Sequence, residues 1–339
     1  MRVDFKHIQT AHCENGVTTA LLRHNGIDIL NEPLVFGIGS GLFYIQIPFL
    51  KINNGPAISF RTMPGKIFLR TCNSLDIKVV HKKFSSHTKA KEFLDSKLNE
   101  GVPVGCQVGV FHLPYFPKEY RFHFNAHNII VFGRNNDNYQ ISDPVMENTT
   151  EISSEDLEKV RFAKGIFAPK GHLYYPVLPV KSDIIMLRKA IVRGIRRNTR
   201  DMLFIPGNVA GVRGIKFTSG RIRKWREKFG LRKAGLYLAQ IVRMQEEIGT
   251  GGGGFRFLYA AFLEQASEIL KDDKLIDVSN EFTKAGDLWR ASAIQMAGIY
   301  KGRLGEQKDF DETADMLVQI YNIEKEAFRK LHKLNFNLQ

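Results

Sequence analysis

Three side chains carry the chemistry this sequence can offer. Cys13 lies in HCENG and is followed by VTTALLRHNG, a pattern that predicts a helix from about Cys13 to Asn25, beginning at or beside the cysteine. A thiol at a helix N-terminus feels the positive end of the helix dipole, which favours thiolate over thiol. His127 lies in FNAHNIIVFG, a strand pattern leading into GRNNDN, whose residues tolerate the positive φ of a hairpin turn. The returning strand ends in ISDP, with Asp143 at its tip. Paired antiparallel strands can set His127 beside Asp143, so that the carboxylate fixes the imidazole tautomer while the other ring nitrogen faces the thiol. The chemistry would be nucleophilic acyl transfer through sulfur. Each residue alone has a plain reading. A lone cysteine is usually a small buried hydrophobe, as expected for Cys72 and Cys106; Asp-Pro commonly starts a turn; a histidine on a strand is usually a satisfied polar group. The combination carries the assignment.

These residues need elements to position them. Up to about residue 180 the chain reads as short apolar runs broken by turn signals, with candidate strands at 66–71, 76–80, 103–111, 122–133 and 138–142. Helices are predicted at 13–25, at 87–100, and after Ser153, where SSEDLEKV offers an N-cap and acidic residues in the first turn. Beyond YPVLP (175–179) the pattern becomes helical, with candidates at 183–203, 219–229, 231–248, 255–271, 275–302 and 309–334, and a four-glycine joint at Gly251–Gly254. The expected division is an α+β domain over 1–180 and a helical domain over 181–339. The uncharged run Pro33–Leu50 is nearly long enough to raise the question of a membrane span, but its three glycines and two prolines fit a buried loop and strand better.

The charge narrows the choice of partner. The 339 residues hold 49 Lys or Arg against 35 Asp or Glu, a net of +14. Residues 181–240 alone hold 16 basic and three acidic residues, a surplus of 13, so the rest of the chain is near neutral. LRKAIVRGIRRNTR sets Arg193, Arg196, Arg197 and Arg200 along a helix, and GRIRKWREKFGLRK adds a cluster containing Arg223 and Arg226. Such a surplus favours an acidic partner: an acidic protein, an anionic membrane face or nucleic acid. Anionic lipid is the second reading, since Leu187, Ile191, Ile195 and Leu203 could form an apolar stripe opposite the arginines. Nucleic acid is the weakest, for want of a recognisable binding motif. Three cysteines make no disulfide framework, and the N-terminus lacks an apolar signal core, so a cytoplasmic protein is expected, with the inner membrane surface as the other possibility. His81, His87, His112 and His123 are scattered without the paired spacing of a zinc site, and no metal is expected.

The segments AHCENGVTTALLRHNG, LNEPLVFGIGSGLFY and FNAHNIIVFG with ISDP resemble the N-terminal domain of butirosin biosynthesis protein H. That domain is similar to the double-glycine leader peptidases, a bacterial branch of the papain-like group. GTGGGGFRFLYAAFL and AGDLWRASA resemble the helical domain that accompanies it. The resemblance implies an α+β fold, with a papain-like, cysteine peptidase-like N-terminal domain followed by a mostly α-helical C-terminal domain. It also implies an acyltransferase that takes an acyl group from the phosphopantetheine thioester of an acyl carrier protein. Cys13 would be the nucleophile, His127 its base and later acid, and Asp143 the residue that orients His127. No bound cofactor is implied, since the phosphopantetheine arm arrives on the donor; the acceptor would be a small-molecule or lipid amine or alcohol.

One departure is informative. Double-glycine peptidases carry an oxyanion-hole Gln further upstream of the cysteine than Gln9, which is only four residues before Cys13. The Cys13 backbone N–H can supply one donor; the second would be Gln9, by a tighter turn, or His12. Gly251, Gly252, Gly253, Gly254, Arg256 and Tyr259 are candidates to grip the phosphopantetheine or the acceptor. The glycine-rich stretch 34–49 and the Gly251–Gly254 joint are candidate walls of an acyl channel. Arg193, Arg196, Arg197, Arg223 and Arg226 are candidates to dock an acidic carrier. Two other readings stay open: a cysteine peptidase or amide hydrolase using the same three residues, and a non-catalytic protein that binds a carrier or a lipid.

Overall fold

A computed structural model describes residues 2–52, 55–180 and 183–336. The chain divides into two compact units, and neither is contiguous. The first comprises Met1–Val35 and Ile67–Asp183, the second Phe36–Lys66 and Ile184–Gln339. Residues 36–66 thus pack with the helical C-terminal part, unlike a single cut between 180 and 181; that cut adjoins 181–182, which lie outside the described residues.

The first unit is α+β. Helix α1 (Cys13–His24) and the start of α2 (Glu32–Ile38) precede most of α3 (Lys66–Ser74). Then come β3 (Val79–Lys82), α4 (His87–Asn99), β4 (Val104–Val108), β5 (His127–Asn135), β6 (Asn138–Ser142), β7 (Thr150–Ser153), α5 (Ser154–Arg161) and β8 (Leu173–Pro176). The strands form one antiparallel sheet in the order β3-β8-β4-β5-β6-β7. From His127 to Gly133 every residue of β5 is buried, as expected of a central strand covered on both faces. Ile129 and Val131 join a core with Leu94, Leu98, Leu157 and Val160 of α4 and α5. The β5–β6 hairpin closes where Asn135 pairs with Asn138, and Asn136 takes a φ of 53°.

The predicted strand at 66–71 is instead helix α3. Its buried side chains, Ile67, Phe68, Thr71 and Cys72, recur with the four-residue period of one helical face, which a six-residue window truncates. Strand β5 begins at His127 rather than 122, and β8 was not anticipated.

The second unit is mostly helical. It contains the hairpin β1 (Leu42–Ile52) and β2 (Gly55–Arg61), then α6 (Ile184–Leu203), α7 (Gly211–Ile222), α8 (Trp225–Val242), α9 (Arg256–Leu270), α10 (Lys274–Tyr300) and α11 (Gln307–Lys333). The break predicted near 230 is a kink at Gly230 inside α8. Helices bind the hairpin through buried polar and aromatic contacts. The Tyr44 hydroxyl donates to Thr218 Oγ1 at 2.7 Å, Asn198 Nδ2 donates to the Leu42 carbonyl, and the Tyr44 and Phe60 rings pack on Trp289. The run Pro33–Leu50 is accordingly a short helix and a strand. Among the described residues no helix is long and apolar enough to cross a membrane.

Candidate active site

Helix α1 begins at Cys13 because the preceding turn is held from several sides. His12 takes an extended N-cap conformation, and its Nδ1 accepts the Asn15 N–H at 3.3 Å. Both Glu32 carboxylate oxygens serve the same turn: Oε2 accepts the Ala11 N–H at 2.9 Å and Oε1 the His12 N–H at 2.8 Å. The side chain of Cys13 is left buried at the first helical position, where backbone N–H groups have no intrahelical acceptor.

The sheet brings the other two residues to it. The β5–β6 register pairs Ile130 with Ser142, so Asp143 follows opposite Ile129 and lies diagonal to His127 on the same face. His127 Nε2 and Asp143 Oδ2 are 2.7 Å apart, with Asp143 wholly buried. With Nε2 on the carboxylate, the other ring nitrogen is Nδ1, and the Cys13 thiol lies near enough to act electrostatically on the ring. Asp143 is itself fixed: Oδ2 also accepts the Tyr115 hydroxyl at 3.0 Å, and Oδ1 accepts the Val145 N–H at 3.2 Å. The Phe116 ring stands edge-on to His127 at 5.4 Å. Burial alone would lower the His127 pKa, but the charges on Asp143 and Cys13 and the hydrogen bonds to both outweigh it and raise it to about 10.

The N-terminal segment is stitched to the loop that carries Asp143. His7 Nδ1 meets Ser142 Oγ at 2.8 Å, its Nε2 meets the Met146 carbonyl at 3.1 Å, and the Thr10 N–H donates to the Pro144 carbonyl at 2.8 Å. Gly16 permits this approach. A Cβ there would lie 2.1 Å from Thr10 Oγ1 and 2.4 Å from Pro144 Cβ.

Several expected site residues lie elsewhere. Gln9 is exposed, and His12 Nδ1 accepts the Asn15 N–H in capping α1. Arg256 is wholly buried in the second unit, where Nε and Nη2 form a bidentate pair with Glu324 at 2.8 and 2.9 Å. Tyr259 is wholly buried among Phe262, Phe282 and Phe328, and burial pushes its hydroxyl pKa well up. Gly251, Gly252, Gly253 and Gly254 all have positive φ and form a tight structural turn; a Cβ on Gly254 would lie 2.4 Å from the Phe60 ring. Arg256, Tyr259 and Gly254 are core-packed, the arginine on a buried carboxylate and Gly254 against the buried Phe60 ring, while Gly251 is exposed. Arg223 pairs with Asp311 and Asp315, and Arg226 donates to the Gly305 carbonyl and lies near Glu306, so α11 neutralises that part of the basic window. Arg193 and Arg196 are exposed on α6, and Arg197 is half-buried. Cys72 and Cys106 are buried, and burial raises both thiol pKa values. Among the described residues no cluster of three His, Cys, Asp or Glu is arranged to hold a metal ion. Asn128, unremarked in the sequence, lies beside the sulfur: its Nδ2 is 3.9 Å from Cys13 Sγ.

The chain combines an α+β region built on a six-stranded antiparallel sheet with a mostly helical C-terminal region. Residues 155–331, more than half the chain, match the family described as Domain of unknown function (DUF4872), and residues 12–144 match Butirosin biosynthesis protein H, N-terminal. The chain belongs to the first of these families, and residues 12–144 are similar to the N-terminal domain of butirosin biosynthesis protein H. Among solved structures it is similar to a chain from Bacillus anthracis assigned as a C39-like peptidase, at 14% identity and a TM-score of 0.38, over 54% of this chain and 100% of that one. No curated protein matches it significantly.

Proposed function

We propose that this protein is a cysteine-dependent acyltransferase that takes an acyl group from an acyl carrier protein thioester, holds it on Cys13, and passes it to an amine or alcohol. The observation that supports this reading is the buried His127 ring bonded to Asp143 beside Cys13 at the start of α1, in a chain whose residues 12–144 match the butirosin protein H N-terminal domain.

Cys13 sulfur attacks the thioester carbonyl; a new carbon–sulfur bond forms and the bond to the pantetheine sulfur breaks, that sulfur leaving with the proton from His127. Exchange of one thioester for another is close to thermoneutral, so no nucleotide is needed. His127, now neutral, takes the proton of the incoming amine or hydroxyl as it attacks, and Cys13 leaves as thiolate. Asp143 keeps the ring in the orientation that presents one nitrogen to sulfur throughout. The phosphopantetheine arm is part of the donor substrate.

The test is intact-mass spectrometry after mixing the protein with acylated carrier protein. We expect an acyl adduct on Cys13 that is absent from Cys13→Ala and is discharged by an amine acceptor. Peptide cleavage that requires Cys13, with no adduct from any carrier-bound acyl group, would overturn the proposal in favour of a peptidase.

A further inference from the structure

The side chain of Asn128 is held by three contacts that together fix which way its amide points. Its Oδ1 accepts the Tyr174 hydroxyl at 2.7 Å. Its Nδ2 donates to the Ala126 carbonyl at 3.1 Å and turns its other hydrogen toward Cys13 Sγ at 3.9 Å. Flipping the amide would set oxygen against a carbonyl and nitrogen against a hydroxyl that must then find another acceptor, so the nitrogen end faces the sulfur. Asn128 and Tyr174 are each 3% exposed, and Tyr174 is packed against Phe68 with ring centroids 4.6 Å apart. The amide therefore acts in a dry setting, and its orientation is set before any substrate arrives.

An N–H that lies 3.9 Å from sulfur is too long to matter much to the resting thiol. It matters when sulfur has added to a carbonyl. The carbonyl oxygen then stands beside the sulfur and bears the developing charge, and a useful donor lies about 2.7–3.1 Å from that oxygen. The other donor is the Cys13 backbone N–H at the first helical position.

We infer that Asn128 is a catalytic residue of this site, supplying the side-chain donor of the oxyanion hole with Tyr174 as its positioning residue. This inference rests on the acyl-transfer reading of Cys13.

The reaction that tests it uses S-phenyl thioacetate, whose acetyl group moves to Cys13 sulfur as thiophenolate leaves. A parallel reaction uses iodoacetamide, in which sulfur displaces iodide at a saturated carbon and no oxyanion forms. In Asn128→Ala the acetylation rate should fall about 10²–10³-fold, while the alkylation rate and its pH profile stay within a few-fold of the natural protein. Tyr174→Phe, which keeps the amide but releases it, should show the same split with a smaller loss, and it decides the matter if the alanine variant fails to fold. Equal losses in the two reactions, or no loss in either, would overturn the assignment of Asn128 while leaving acyl transfer standing. A natural protein that is alkylated on Cys13 but never acetylated overturns the acyl-transfer reading, and the oxyanion role with it.

Discussion

His127 is held between two groups that each stabilise its positive charge, and the consequence is measurable. Its pKa is raised from 6.5 to about 10, so the folded state binds this proton more tightly than the unfolded state. The stabilisation is fully present below pH 6.5 and is lost as pH rises through about 10. The melting temperature should therefore fall over that interval. In His127→Gln the part of the slope due to this residue should vanish; an identical slope in the variant would show that the proton is held elsewhere. Asp143→Asn should move the end of the slope to lower pH, because it removes the charge that contributes most to raising the pKa. At this scale the sequence was legible where residue type and chemistry coincide. Cys13 at a predicted helix start and Asp143 at a hairpin end could be read directly. Asn128 could not: strand alternation sends the neighbour of His127 to the other face, and only the folded α1 shows that both side chains reach Cys13. Arg256 was misread because its carboxylate partner lies 68 residues away, and a surface arginine and a core arginine look alike in sequence.

Among the elements, α1 depends on how closely the Asp143 loop can approach it. Gly16→Ala forces a Cβ into Thr10 and Pro144, and the overpacking should cost about 1–3 kcal/mol. The same shift should slow alkylation of Cys13, since the loop that moves carries Asp143. Normal stability together with a normal alkylation rate would mean that the loop tolerates the methyl group. In the second unit, α9 and α11 are pinned by the Arg256–Glu324 pair, with the Trp289 indole N–H donating to the same carboxylate at 2.9 Å. Glu324→Gln leaves a buried guanidinium without its counter-charge and should destabilise by about 3–5 kcal/mol, read as a lower urea midpoint. Replacing Arg256 and Glu324 together by apolar residues should recover much of that loss; no recovery would place the cost in packing. Helices α6, α9, α10 and α11 were legible to within a few residues, whereas α7 and α8 lie six to eight residues upstream of the helices expected at 219–229 and 231–248. The helix over 66–74 was not, because only its first six residues were weighed and their apolar run suits a strand equally well.

For the molecule as a whole, the basic surplus of 181–240 suggested a single docking face. Folding divides it: the cluster around Arg223 and Arg226 meets the acidic start of α11, while Arg193 and Arg196 stay exposed on α6. If an acidic carrier docks here, reversing Arg193 and Arg196 to Glu should weaken its binding at low salt and have little effect at high salt, whereas reversing Arg223 should mainly lower stability. Titration of carrier binding against ionic strength distinguishes these outcomes, and binding unaffected by the double reversal would place the docking face elsewhere. The two-part organisation was legible, but reading along the chain assumes that units follow one another in order. Residues 36–66 break that assumption because their apolar side chains are satisfied by helices that come more than a hundred residues later.

This detour has a consequence for how the chain comes to be folded during synthesis. The hairpin of residues 42–61 leaves the ribosome early, yet the helices that cover Leu42, Tyr44 and Phe60 follow only after residue 183. The nascent chain must therefore carry an apolar hairpin through most of translation before its partners exist, a period in which association with chaperones or with other chains competes with folding. A chain ended at residue 183 should hold the complete α+β unit and still bind a hydrophobic dye and self-associate, and a monomeric, dye-free fragment would show that the hairpin finds other cover.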